Sequence, residues 1–311
     1  MILDRPRRLG AGSRLAVIAP SSPFSPDDLQ RGLDELRRLG FDPLVDERIF
    51  ERRAYTAGSP AVRAAVIHDA LVDSRVEALI AARGGYGSAQ VVPLLDDSIL
   101  RRSRKAIIGH SDLTAILQTA TQRCGLVAMH GPMVAGGLAR GAEGYDSVSL
   151  LGALTSAEPL GLLQPDGMDV LSTGEARGVL VGGTLTQLCA SLGTRDAFDP
   201  PDGAVLLIED VNERPYRLDR MLTQLAQAGV LARAAAIVFG QFPYCDEPRT
   251  GLDARAVVSE FIKDVRIPVL WGFPTGHVVG SEWTLPLGLP VQVLARSSTP
   301  GLVFEETATA G

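Results

Sequence analysis

A serine on a tight turn between a buried strand and a helix can serve as a nucleophile. The turn exposes the hydroxyl, and the helix N-terminus directs free N–H groups at the reacting atom. Gly109-His110-Ser111-Asp112 has this pattern, lying between the apolar run Ala106-Ile107-Ile108 and a helical segment from about Leu113. Leu113 stands where a Gly-x-Ser-x-Gly motif has its second glycine. Serines at this position also cap helices, so Ser111 has two readings, nucleophile and cap. Arg83-Gly84-Gly85-Tyr86-Gly87 follows another apolar run, Val76 to Ala82. Its glycines permit close backbone approach, as in an oxyanion hole or anion nest, and equally an ordinary strand-to-helix turn. The G-G-x-G spacing differs from a dinucleotide fingerprint, and no Walker lysine is present.

A third segment, Glu209-Asp210-Val211-Asn212-Glu213, places acids after the apolar strand Val205–Ile208. It reads as a solvated loop with an acid at a helix start, or as a carboxylate pair of the glycosidase type, whose separation local spacing does not give. The four histidines are His68, His110, His130 and His277. His68 falls within an amphipathic helix and reads as structural. His130 and His277 lie beside glycine turns, where an imidazole can move protons near neutral pH. No His-x-x-x-His or Glu-x-x-His spacing occurs, which disfavours a metal hydrolase.

These segments need elements to hold them. Leu15–Ala19 reads as a buried parallel strand ending in Pro20-Ser21-Ser22-Pro23. Ser25-Pro26-Asp27-Asp28 opens a helix with a cap, a proline in the first turn and early acids, and Gly40 ends it. Phe41–Val45 is a further strand. Ser59-Pro60 opens a second helix, with Val62, Val66, Ile67 and Leu71 on its apolar face. The alternation predicts an α/β fold of two domains. The first has a mostly parallel sheet with helices on both faces, and the second is a smaller α/β domain. In such sheets ligands bind at the carboxyl ends of the strands, where both glycine-bearing loops fall. The predicted division is 1–150, a linker or crossing at 151–179 rich in Gly, Ser and Pro, and 180–311. Within the last part, helices are expected over 217–228 and 254–262, a strand over 235–239, and a terminal hairpin over 284–295.

The composition narrows the function. The 311 residues carry a net charge of −6, with 36 acidic against 30 basic side chains, which argues against a nucleic-acid-coating role. No apolar run approaches the roughly 20 residues of a membrane helix. The run Leu15–Ala19 is shorter than the roughly 7–15 residues of a signal-peptide core, so a cytoplasmic location is expected, with no membrane partner. Cys124, Cys189 and Cys245 form no paired motif and read as small buried apolar residues.

The ordered set Arg83-Gly-Gly-Tyr-Gly87, Gly109-His-Ser-Asp112, Gly182-Gly183, Leu207-Ile-Glu-Asp-Val-Asn-Glu213 with Arg217 and Arg220, Gly276-His277 and Leu285-Pro-Leu-Gly288 resembles the LD-carboxypeptidase family of serine peptidases over nearly the whole chain. The resemblance implies a triad of Ser111, His277 and Glu209, with the serine on the N-terminal domain and the other two on the C-terminal domain. Ser111 would attack the scissile carbonyl, His277 would carry the proton, and Glu209 would orient the imidazole. Main-chain N–H groups of Asp112 and, by the resemblance, Gly85 would hold the oxyanion. Arg83 and Gly84 are expected on the substrate side, Arg83 because a terminal carboxylate needs a cationic partner. Its other reading is a surface ion pair, which is also the reading for Arg217 and Arg220. The implied reaction releases D-alanine from the L-centre of diaminopimelate in a murein tetrapeptide. The implied partner is a small peptide or muropeptide, no cofactor or metal is expected, and a homodimer is implied.

Three alternatives accompany this reading. A microcin-C-immunity branch cleaves aminoacyl-nucleotide analogues, which would call for an aromatic or a loop insertion to stack a base. The only tryptophans, Trp271 and Trp283, lie near His277. A non-catalytic small-molecule-binding α/β protein would use Ser111 only as a cap. A glycosidase would use Glu209 with Glu213 or Asp210.

Overall fold

The computed structural model describes residues 3–311. The first sheet holds six strands in the order β12-β5-β4-β3-β1-β2. Five of these, β1 (Arg14–Ile18), β2 (Asp42–Val45), β3 (Ala78–Ala81), β4 (Ala106–Gly109) and β5 (Ala128–His130), run parallel. The inner strands β3 and β4 are buried at every residue, which is why they read as unbroken apolar runs. The order 2-1-3-4-5 reverses direction between β1 and β3, the switch point at whose carboxyl edge sheets of this kind bind ligands. The loops Pro20–Phe24 and Arg83–Gly87 meet there, the Ser22 amide donating to the Gly84 carbonyl at 3.3 Å and the Tyr86 amide to Ser22 Oγ at 3.0 Å.

The helices form where the caps place them. Pro26–Arg38 starts on Ser25, whose side chain accepts from the Asp28 amide, and buries Leu29, Leu33 and Leu36. Pro60–Val72 starts on Ser59 and buries Val66, Ile67 and Leu71, leaving His68 exposed. Arg63, on its buried side, donates to the carbonyls of Pro20, Gly58 and Gly87 and thereby ties the loops after β1 and β3 together.

The second sheet has eight strands, ordered β6-β14-β13-β8-β9-β10-β11-β7. Its parallel centre is β8 (Gly174–Thr184), β9 (Ala204–Glu209), β10 (Ala234–Gly240) and β11 (Val269–Phe273). The flanking strands β6 (Gly161–Leu163), β7 (Asp169–Ser172), β13 (Pro290–Ala295) and β14 (Gly301–Phe304) pair antiparallel. Residues 151–179, read from sequence as a linker, hold the end of helix Ser147–Thr155, β6, β7 and the first half of β8. Pairing partners far along the chain order this stretch despite its loop-like composition.

The expected hairpin at 284–295 is corrected. β12 (Leu285–Leu287) pairs antiparallel with β5 in the first sheet, and β13 pairs with β8 and β14 in the second, so the chain changes sheets at Gly288. The hairpin that forms is β13–β14. One apolar cluster runs from the first sheet to Leu180, Val205, Leu207, Val238 and Phe273 of the second. The two sheets therefore share a core.

Cys124, Cys189 and Cys245 are all buried and free. Burial pushes their thiols up to about 11, 12 and 12. A folded-state assay with a thiol-reactive disulfide reagent should find all three unreactive, and the same assay in denaturant should titrate all three.

Candidate active site

Four strand ends build the site. Ser111 follows β4 and begins a continuous helical segment that runs to Arg123. Its φ is +64°, a left-handed conformation that costs a non-glycine residue roughly 1–3 kcal/mol. Its neighbours hold it there. The buried Asp112 carboxylate accepts from Ser21 Oγ at 2.6 Å and from the Ser88 amide at 2.7 Å. These contacts fasten the serine turn to the loops after β1 and β3. Gly84 lies against Ser111 so closely that a methyl group there would meet Ser111 Cβ at 2.6 Å and Oγ at 2.7 Å. The same methyl would lie 3.4 Å from the Asp112 amide nitrogen, so the glycine loop and the serine turn face each other. Among the described residues, neither the Gly85 nor the Asp112 amide donates a hydrogen bond within the fold.

Glu209 ends β9, in register with Thr184 at the end of β8. It has no exposure to water. Thr184 donates its hydroxyl to Oε1. Oε2 takes the His277 amide at 2.9 Å and faces His277 Nδ1 at 2.8 Å. A carboxylate oxygen on Nδ1 fixes the proton there and leaves Nε2 free to accept one. Burial alone would raise the Glu209 carboxyl. The charge and hydrogen bond of His277 outweigh it and hold the group well below the usual carboxylate range. Gly276, at φ +72°, makes the approach possible, because a methyl there would meet Glu209 Cδ at 2.7 Å and His130 Cε1 at 2.8 Å.

The two halves meet at this point. The ring of His277 lies 5.0 Å from that of His110, the residue before Ser111, in an edge-to-face arrangement. Thr184 also donates its amide to Thr114 Oγ1 on the helix behind the serine, at 3.2 Å. A pocket of about 410 Å³ opens on His277, with His110, Glu282, Arg140, Val211 and Tyr244 in its wall.

Other candidates fall elsewhere. Asp210 is buried with its back to this cluster, accepting from the amide and hydroxyl of Thr186 and from the Val211 amide. Burial, and next the charge of Glu209, push its carboxyl up to about 6. Glu213 pairs with Arg217 at 3.1 Å, as expected of a structural ion pair. Each acid is thus committed to partners of its own, His277 and Thr184, Thr186, or Arg217, which argues against the carboxylate-pair reading. Arg220 lies over the ring of Tyr216 instead of pairing with an acid. Arg83 is exposed and donates to the Pro23 carbonyl at 2.9 Å.

His130 departs from its expected role in proton transfer. It is fully buried, its Nδ1 lies 3.0 Å from Thr275 Oγ1, and its Nε2 is 4.0 Å from Glu209 Oε1. Thr275 spends its own proton on the Trp283 carbonyl, so His130 Nδ1 is the donor to it. Burial holds the ring neutral, with its titration pushed down to about 3. Thr184, Thr275 and Glu282 had no signal in the sequence, because their partners lie far away along the chain.

Residues 15–131 match the family model of the LD-carboxypeptidase N-terminal domain, and residues 177–293 that of the LD-carboxypeptidase C-terminal domain. The chain belongs to the LD-carboxypeptidase family. It is 38% identical over 302 residues to a protein of Streptomyces coelicolor that bears a carboxypeptidase name, covering 96% of this chain and 95% of that one. It is 32% identical to the murein tetrapeptide carboxypeptidase of Pseudomonas aeruginosa, covering 85% and 88%. A solved structure of MccF, the microcin C7 self-immunity protein, in complex with glutamyl sulfamoyl guanosine superposes with a TM-score of 0.89 over the full length of both chains at 21% identity, a likeness of fold.

The short contact between Glu209 and His277 makes a spectroscopic prediction. The Nδ1 proton of His277 should appear as a strongly downfield imidazole resonance in the proton NMR spectrum. The Glu209→Ala variant should lack it.

Proposed function

We propose that the protein is a serine LD-carboxypeptidase that hydrolyses the amide between the L-centre of diaminopimelate and the terminal D-alanine of murein tetrapeptide. The observation that carries this reading is the pairing of a buried, charged Glu209 with His277 beside the turn that strains Ser111. Ser111 Oγ attacks the scissile carbonyl as His277 Nε2 takes its proton. Glu209 steadies the imidazolium that results. The Gly85 and Asp112 amides, unspent within the fold, receive the oxyanion. His277 then returns the proton to the D-alanine nitrogen, which leaves. Water, activated by the same imidazole, opens the acyl-enzyme and frees Ser111.

Arg83 and Gly84 sit on the substrate side. Arg83 has no ion-pair partner among the described residues, so its guanidinium remains available to the terminal carboxylate. The family resemblance supports a homodimer and a cytoplasmic site of action. We also read 1–150 and 180–311 as the two functional units, one bringing Ser111 and the other Glu209 and His277. Among the described residues no helix is long and apolar enough to cross a membrane.

The aminoacyl-nucleotide reading calls for an aromatic side chain free to stack on a base. Both tryptophans are already engaged: Trp271 stacks on Phe242 at 5.3 Å, and Trp283 packs edge-on against Phe273. The exposed ring of Tyr244, in the wall of the pocket at His277, is the aromatic a base could stack on, so the choice between the two substrates rests on the assay below.

D-Alanine release from L-Ala-γ-D-Glu-meso-diaminopimelate-D-Ala tests the reading. Ser111→Ala should lower kcat by at least about 10⁴-fold, and Glu209→Gln by about 10³–10⁴-fold. Release that survives Ser111→Ala would reject the triad. An inactive wild type that hydrolyses an aminoacyl sulfamoyl nucleotide would move the substrate to the other branch. Gly84→Ala pushes a methyl group against the serine, and a displacement of this kind should cost about 10²-fold in kcat without loss of the folded state.

A further inference from the structure

The loop between β11 and β12 carries His277 and also Glu282. Glu282 is fixed by its own backbone: its amide donates to the Gly144 carbonyl at 3.3 Å, and its carbonyl accepts from the Asp146 amide at 2.8 Å. Its side chain is almost fully buried, with Oε1 2.8 Å from Nδ1 of His110. The same Nδ1 lies 3.1 Å from the Gly131 carbonyl. Two acceptors at one ring nitrogen require a proton on it. The N–H is directed at Gly131, and Oε1 of Glu282 has no hydrogen bond of its own. Glu282 is therefore held to His110 by the attraction of its carboxylate for the ring that carries this proton, strongest when the ring is an imidazolium.

We propose, on the reading of Ser111 and His277 given above, that His110 and Glu282 are a positioning pair. It ties the turn bearing the nucleophile to the loop bearing the base and so sets the distance the proton crosses. Neither group touches the reacting atoms in this role. His110 adjoins Ser111 in the chain, and Glu282 shares the loop of His277, so their contact bridges the two halves of the site beside the chemistry.

The pair gives the reaction an alkaline limit. The groups facing His110 are Glu282, Glu209, the Gly131 carbonyl, the ring of His130 at 5.9 Å and the ring of His277 at 5.0 Å. Asp28, Arg31 and Arg140 line the pocket beyond. Burial disfavours the charged ring, but Glu282 foremost, with Glu209 and the Gly131 carbonyl, raises its titration to about 9. A raised histidine is charged below that value and loses its proton as pH rises through it. Above about 9 the ring keeps its Nδ1 proton but loses its positive charge, so the attraction to Glu282 weakens and the site loosens.

The test is kcat and KM for D-alanine release by the full chain, from about pH 6 to about pH 10, in the wild type, Glu282→Gln, His110→Gln and the double variant. The wild type should lose kcat as pH passes about 9. Glu282→Gln should lower kcat by roughly 10–10²-fold with KM little changed, and should abolish that alkaline limb. The double variant should be no slower than the slower single variant, because one interaction is removed only once. Glu282→Asp, which keeps the charge on a shorter arm, should retain the limb at reduced kcat. A limb that persists in Glu282→Gln, or single effects that multiply in the double variant, would overturn the pair. If the wild type releases no D-alanine, the substrate reading falls, and labelling of Ser111 by a fluorophosphonate then decides the pair. Slower labelling in Glu282→Gln supports it, and equal labelling, including none in either protein, overturns it.

Discussion

A carboxylate with no contact with water ends β9, and much of the surrounding structure serves to keep it charged. Removing an ion from water costs several kcal/mol even after relaxation, so Glu209 is tolerable only with its lone pairs filled. The Thr184 hydroxyl takes one oxygen, and the amide and ring of His277 take the other. Each partner demands something further along. Thr184 must end β8 in register with Glu209, which requires the parallel centre of the second sheet. His277 must come back over the strand ends, which requires a glycine at 276.

The first sheet obeys a separate constraint with the same outcome. Its strand order reverses between β1 and β3, and the loops there are bound together by Arg63 and by the Asp112 carboxylate. Those contacts allow Ser111 to stay in a conformation it would otherwise avoid. Neither half contains a complete constellation. The shared apolar core holds the two at a fixed separation, so the geometry depends on packing well away from the chemistry.

Much of this was legible in the residues. The first two helices carry their caps in plain view, and Ser25 and Ser59 sit where those caps were expected. The buried runs of β1, β3 and β4 announced a parallel sheet, and the glycine-bearing loops fell at its productive edge. The middle of the chain was opaque because β6 and β7 are three and four residues long and only partly buried, so they have no run of apolar residues to show. The acidic segment could not be resolved from local pattern. Glu209 and Asp210 are adjacent and both buried, and only the neighbours on each side, His277 against Thr186, separate their roles. Glu282 was invisible for the same reason: its partner His110 lies on the other sheet, and no local spacing encodes that meeting.

The return of β12 to the first sheet bears on how the molecule is made. As the chain leaves the ribosome, β1 to β5 can assemble early, but the edge of β5 stays open until Leu285–Leu287 arrives. The segment around Pro6 and Arg8 likewise waits for Ala310, with which both pair. A growing chain that already holds Ser111, Glu209 and His277 therefore still lacks the last strand of its first sheet. The edge of the first sheet is thus closed by residues made after Ser111, Glu209 and His277, so the sheet that carries the serine turn is completed from the same stretch of chain that delivers the histidine.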